Sequence, residues 1–106
     1  MADVIITLKV MAESPEVDME KLEKEVLQKL IKYAYEKDVD MDTVMKEKEE
    51  QHVKVEVEPV AFGLKALKVT FAMDESRGGT EPFENELKQL ESVRDCEVIG
   101  ITRAMG

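Results

Sequence analysis

Val4, Ile6, Leu8 and Val10 alternate with Ile5, Thr7 and Lys9. This two-residue period in β-branched and aliphatic residues predicts a first strand over residues 3–11. Ser14-Pro15 ends it, because proline restricts the residue before it and has no N–H for a ladder. The period then changes. Leu22, Val26, Leu30 and Tyr33 recur at three- and four-residue spacing, with Leu27 and Ile31 widening the stripe. That pattern predicts an amphipathic helix over 19–35, with Asp18 as its cap and Glu20 near the positive end of its dipole. Lys21, Lys24, Glu25, Lys29 and Lys32 fall on or near its wet side.

Residues 36–51 carry a weaker signal. Asp42 is placed to cap a short second helix over 43–50, with Val44 and Met45 as its apolar anchors. So thin a stripe predicts a marginal, mobile element. Val53, Val55 and Val57 alternate with Lys54, Glu56 and Glu58 as a second strand, and Pro59 marks its end or an edge. After Phe62-Gly63, the residues Leu64, Ala66, Leu67, Val69 and Phe71 mark a third strand over 64–73. A turn-rich loop covers 74–79. Thr80 then caps a helix whose first turn accepts Pro82, and Phe83, Leu87 and Leu90 form its narrow stripe. Cys96, Val98, Ile99 and Ile101 mark a fourth strand over 94–103.

Strand, helix, strand, strand, helix, strand is the order of a ferredoxin-like two-layer sandwich of the α+β class. Its four-stranded sheet is antiparallel, and here an extra helix is inserted before the second strand. At 106 residues the chain has room for one core, and it is expected to form a single domain over 1–106.

Charge narrows the function. The 24 acidic residues outnumber the 15 Lys and Arg, giving a net charge of -9. Nucleic-acid binders need clustered positive charge to displace counterions, so direct nucleic-acid contact is not expected. The same charge suits steering toward a basic protein surface, or simply solubility. No apolar run approaches the roughly 20 residues of a membrane span. Met1-Ala2-Asp3-Val4 leads straight into strand pattern, with no basic segment and apolar stretch of a secretory leader. With Cys96 as its one cysteine, the chain forms no internal disulfide and reads as cytoplasmic.

Candidate chemistry is sparse. His52 is the sole histidine and assembles no catalytic set, and Cys96 reads as core packing. Asp38, Asp40, Asp42 and Glu49 match positions 1, 3, 5 and 12 of a calcium loop. Thr43 stands where that loop needs glycine, and Lys46 puts a positive charge at position 9, so a solvated helix-capping run is the stronger reading. Gly78-Gly79-Thr80 opens a helix as an anion cradle would, yet it lacks the phosphate-loop Lys and is followed by Glu81 and Glu84. An RNA-recognition sheet would need aromatics on the first strand, which has none. No catalytic residue, metal site or cofactor is assigned.

Three blocks carry a resemblance. Glu58-Pro59-Val60-Ala61-Phe62-Gly63-Leu64-Lys65-Ala66-Leu67 resembles the central hairpin of the translation elongation factor 1-beta family, in its archaeal form. Asp3-Val4-Ile5-Ile6-Thr7-Leu8-Lys9-Val10-Met11 with Ser14-Pro15-Glu16-Val17-Asp18 is similar to that family's first strand and helix start. Gly78-Gly79-Thr80-Glu81 is the third block.

The resemblance implies guanine nucleotide exchange on the GTPase elongation factor 1-alpha, a partner role rather than an enzymatic one. It also implies that Phe62 contributes to GTPase contact. The other reading of Phe62 is that it folds inward to close one end of the core. Gly63 lets the backbone turn where a Cβ would clash. Eukaryotic members carry a Lys near the C-terminus that reaches the GTPase magnesium region. This chain ends Ile101-Thr102-Arg103-Ala104-Met105-Gly106, so Arg103 is the nearest cation, with Met105 beside it. Residues 35–51 look like an insertion relative to the family. The competing class is a ferredoxin-like regulatory or small-ligand module that oligomerises through a sheet edge.

Overall fold

The computed structural model describes residues 3–77 and 79–103. Its elements run β1 (Asp3–Ala12), α1 (Met19–Tyr35), α2 (Val44–Glu50), β2 (Lys54–Pro59), β3 (Lys65–Asp74), α3 (Glu81–Lys88) and β4 (Val93–Arg103). The strands form one sheet in the order β2-β3-β1-β4, every neighbouring pair antiparallel. This is the expected α+β ferredoxin-like sandwich, with α2 inserted before β2. Strand boundaries differ from the sequence reading by a residue or so. Val53 packs into the core just before β2 begins.

Alternation along β1 decides which face is covered. Ile6, Leu8, Val10 and Ala12 are buried, whereas Ile5, Thr7, Lys9 and Met11 between them are exposed or half-buried. The register sets Ile6, Leu8 and Val10 beside Phe71, Val69 and Leu67 of β3, and Leu8 and Val10 beside Val98 and Cys96 of β4. Leu22, Val26, Leu27, Leu30, Ile31 and Ala34 of α1 close over that apolar face. Burying each large aliphatic side chain contributes roughly 1.5–3 kcal/mol, so this layer supplies most of the stability.

The ends of α1 are fixed by polar contacts. Asp18 accepts from the Glu20 and Lys21 N–H groups at 3.0 and 3.3 Å. The helix stops at Glu36, whose left-handed backbone (φ 56°) returns its N–H to the Lys32 carbonyl. Tyr35 donates its hydroxyl to the Ala72 carbonyl at 2.6 Å, and burial, then Asp3, pushes its pKa up to about 12. Tyr33 stacks on Phe83 at 4.8 Å and donates to the Gly79 carbonyl at 2.9 Å. Phe83 in turn meets Phe71 edge-on, so α1, α3 and β3 are pinned through three rings.

Residues 36–51 are docked, where the thin stripe predicted a mobile element. Val44 is fully buried, Val39 packs against the core, and Gln28 donates to the Val39 carbonyl at 2.8 Å. Lys48 pairs with Glu23 at 2.9 Å and Lys37 with Glu47 at 2.8 Å. Asp40, not Asp42, makes the turn into α2. Its carboxylate accepts from the Asp42 and Thr43 N–H groups and from the Thr43 hydroxyl. Position i of an Asx turn needs the acid two residues before the N–H it binds, which Asp40 satisfies. Thr80 also departs from expectation. It sits at the start of α3, but its hydroxyl donates to Glu84 instead of accepting a cap bond.

Two outcomes follow from this packing. Leu27→Ala should lower the urea unfolding free energy by about 3 kcal/mol with an unchanged m-value. The docked segment should also be acid-sensitive. Hydrogen bonds from Thr43 hold the Asp40 carboxyl below its ordinary 3.8, and those from Lys37 and Gln51 hold Glu47 below 4.5. Folded pKa values below the unfolded ones give stability that is complete above the unfolded values and lost as pH falls through the folded ones. Val44 methyl NMR signals should therefore shift toward the undocked state as pH drops below about 4. Asp40→Asn with Glu47→Gln should flatten that response; equal responses in the two proteins would contradict it.

Candidate functional site

The feature that protrudes from this frame is the tip joining β2 to β3. Its last ladder pair is Pro59 with Lys65, after which the chain turns through Ala61–Gly63. Val60 donates its N–H to the Leu64 carbonyl at 2.8 Å, and Leu64 donates to the Ala61 carbonyl at 3.3 Å. Closing the chain in so few residues drives consecutive positions into left-handed backbone, Phe62 at φ 64° and Gly63 at φ 76°. Glycine accepts this freely. A bulky L-residue there costs about 1–3 kcal/mol.

Phe62 is 94% exposed, so the alternative in which it folds inward to close the core does not hold. Gly63 is needed for its backbone angle and not for space. A Cβ there would meet the Pro15 Cγ at 3.9 Å, an ordinary contact, which corrects the expectation of a clash. That distance also reveals something the sequence reading missed, that the Ser14-Pro15 turn lies at the same end of the sheet as the hairpin tip, within a side chain's reach of Gly63. The signal was present in the predicted topology. Antiparallel pairing of β1 with β3 puts the end of β1 and the start of β3 at the same end of the sheet.

Arg103 lies elsewhere. It pairs with Val4 in the ladder, at the end of the sheet where Asp3 faces Asp74. The ten residues Lys65–Asp74 make nine steps, which separate the two ends by about 30 Å at a strand rise of roughly 3.3 Å per residue. Its guanidinium pairs with Glu75 at 2.8 Å on the surface. The structure thus does not bring Phe62 and Arg103 together. Met105 and Gly78 lie outside the described residues.

The other candidates resolve as packing and turns. Cys96 is buried, and desolvation first, then Glu84, pushes its thiol up to about 12, which leaves it a core side chain. His52 is exposed in a left-handed turn between α2 and β2. Asp38 pairs with Lys32 at 3.4 Å and Asp40 is spent on its turn. Among the described residues no group of three or more His, Cys, Asp or Glu is placed to hold a metal ion.

A hollow of about 200 Å³ lies on the open sheet face between Ile5, His52, Lys54, Thr70 and Ala72. The outer edge of β4 is partly stopped, because Glu84 accepts from the Val98 N–H at 3.3 Å. An edge whose N–H is taken by a side chain is a poor template for strand addition. No helix among the described residues is long and apolar enough to cross a membrane.

The chain matches the family described as the EF-1 guanine nucleotide exchange domain over residues 33–104. It is 39% identical over 105 residues to elongation factor 1-beta of Methanothermobacter thermautotrophicus, covering 99% of this chain and 100% of that protein. Elongation factor 1-beta of Methanosphaera stadtmanae is 40% identical over 105 residues, with the same coverage. The protein of that name from Metallosphaera sedula is 39% identical over 104 residues, covering 97% of each chain. These matches include β1 and the Ser14-Pro15 turn, which lie outside the 33–104 span.

The geometry of the tip sets a stability test. Phe62→Gly should raise the unfolding free energy, by up to about 1 kcal/mol, because it relieves left-handed strain without opening the core. A loss of stability in a thermal melt would show that Phe62 supports the fold.

Proposed function

The chain belongs to the elongation factor 1-beta family and carries its guanine nucleotide exchange domain, and from that premise we propose that it promotes GDP release and GTP loading on elongation factor 1-alpha. The whole chain would act as one exchange domain in the cytoplasm, touching protein and not nucleic acid. Exchange makes no covalent bond. A factor that binds the GTPase more tightly when the nucleotide site is disturbed must, by reciprocity, weaken GDP binding there. Its natural targets are the GTPase elements that respond to phosphate and magnesium.

The observation that carries this reading is Phe62, a strained aromatic held almost wholly in solvent. Large aromatics dominate interface energetics when a partner pocket desolvates them. Keeping one in an unfavourable backbone conformation, with no core contact to offset the cost, supports a role in binding. Gly63 supplies the second left-handed position that finishes the turn. Arg103 is assigned the cationic role at the far end of the sheet, with Met105 two residues further along the sequence. Its pair with Glu75 is a surface bridge, worth about 0–1 kcal/mol, so releasing it for a partner is inexpensive. Two contacts about 30 Å apart fit a partner larger than one small domain.

Release of labelled GDP from elongation factor 1-alpha tests the reading. The protein should accelerate release, and Phe62→Ala should cut the sub-saturating rate about tenfold, the loss expected of an interface anchor. No acceleration at saturating protein defeats the proposal. Arg103→Ala should also slow release; an unchanged rate removes Arg103 from the site and leaves Phe62 standing.

A further inference from the structure

The sheet has two outer edges, and they are defended differently. The edge of β2 alternates Lys54, Glu56 and Glu58 with valines and ends on Pro59. Charges and a terminal proline keep an edge from pairing with another chain. β4 is the other edge, because its one ladder is with β1. Glu84 takes the Val98 N–H, but the stretch beyond it, Ile99-Gly100-Ile101-Thr102, carries no charge. Ile99 and Ile101 are 49% and 63% exposed there. Two β-branched side chains in water on an uncharged edge make a template for strand addition.

The ladder tells which backbone groups this template offers. Val98 turns its N–H outward to Glu84, so Leu8 opposite it turns its own groups toward β3. Alternation along β1 gives Ile6 and Val4 the same direction. Ile101 faces Ile6 and Arg103 faces Val4, so these two residues hold their N–H and C=O groups on the outer side. No other strand pairs with that side among the described residues. The side chains of Ile101 and Arg103, two positions apart on one strand, share a face of the sheet.

Charge decides what can lie along this edge. Arg103 is exposed, and its pair with Glu75 uses only part of a guanidinium that has five N–H donors. A strand added here meets that cation and should bring a carboxylate to it. A second copy of the chain fits poorly. Two β4 edges paired antiparallel about Ile101 would set Arg103 against an isoleucine, and would bring together chains of net charge -9.

We infer that the GTPase partner adds an extended segment to the outer edge of β4, pairing with the Ile101 and Arg103 backbone. That segment carries an aliphatic residue against Ile101 and, two positions away, a carboxylate on Arg103. The inference deepens the exchange reading, in which Arg103 is already the cationic contact, and it rests on that reading.

Residue-resolved amide hydrogen exchange tests it, on the protein alone and in complex with nucleotide-free elongation factor 1-alpha. The Ile101 and Arg103 amides should exchange freely alone and become protected in the complex, because strand addition engages their N–H groups. Ile101→Lys puts a charge on an exposed side chain, so the melting temperature should stay close to wild type. The half-saturating concentration for GDP release should rise about tenfold, the loss of one interface anchor. Ile101→Val keeps the β-branched contact and should stay within about twofold of wild type. If GDP is released but neither amide gains protection in the complex, strand addition is overturned and the exchange reading stands. Protection that grows with concentration in the protein alone makes a second copy the occupant, and also overturns the inference. If the wild-type protein releases no GDP, the exchange reading falls and the proposed occupant falls with it.

Discussion

Everything in this fold depends on β1 meeting three demands at once. It pairs with β3 on one side and β4 on the other, and its alternate side chains must sit under α1. A one-residue slip would turn Ile6, Leu8 and Val10 out to solvent and bring Thr7 and Lys9 inside. The register is therefore held by burial on one face, and two ladders inherit it. From that register follow the positions of both sheet ends, and with them the positions of the hairpin tip and of Arg103.

The core is apolar throughout, with no buried polar or charged side chain among the described residues. Polar contacts work instead at boundaries. Asp18 starts α1, Tyr35 ties its last turn to β3, Asp40 turns the chain into α2, and Glu84 occupies an N–H on the outer edge of β4. The segment before β2 shows how a weak stripe can still be ordered. One buried valine would not hold it, but the partly covered Lys48–Glu23 pair, the Lys37–Glu47 pair and the Gln28 bond add to that burial. The Lys48–Glu23 pair is the better covered of the two, at 21% and 17% side-chain exposure, whereas Lys37 is half-exposed and its pair with Glu47 is closer to an ordinary surface bridge.

The tip runs against this economy. Several aliphatic side chains of the sheet are partly exposed, among them Ile101, but Phe62 leaves nearly all of its surface in water and adopts a backbone that disfavours it. Such local disagreement with folding rules is where a binding role is expected, because stability alone would favour another residue.

Alternation in β1, the three- and four-residue stripe of α1 and the Pro59–Gly63 turn residues were enough, by themselves, to determine the α+β order and the antiparallel sheet. Each is a local pattern tied to one dihedral habit. The loop between the second and third strands was legible for the same reason. Other features were decided only in three dimensions. Whether Phe62 turned in or out depended on the left-handed angles that closing the hairpin imposed. Asp40 displaced Asp42 as the turn acid because carboxylate reach, not proximity to the helix, selects the N–H groups. Order in 36–51 came from Glu23 and Gln28, side chains on a different helix that no window over that segment includes. The roughly 30 Å between the Phe62 and Arg103 ends of the sheet, and the nearness of Pro15 to Gly63, are both products of strand register. Local sequence sets which elements form, and only the closed sheet sets which of their ends meet.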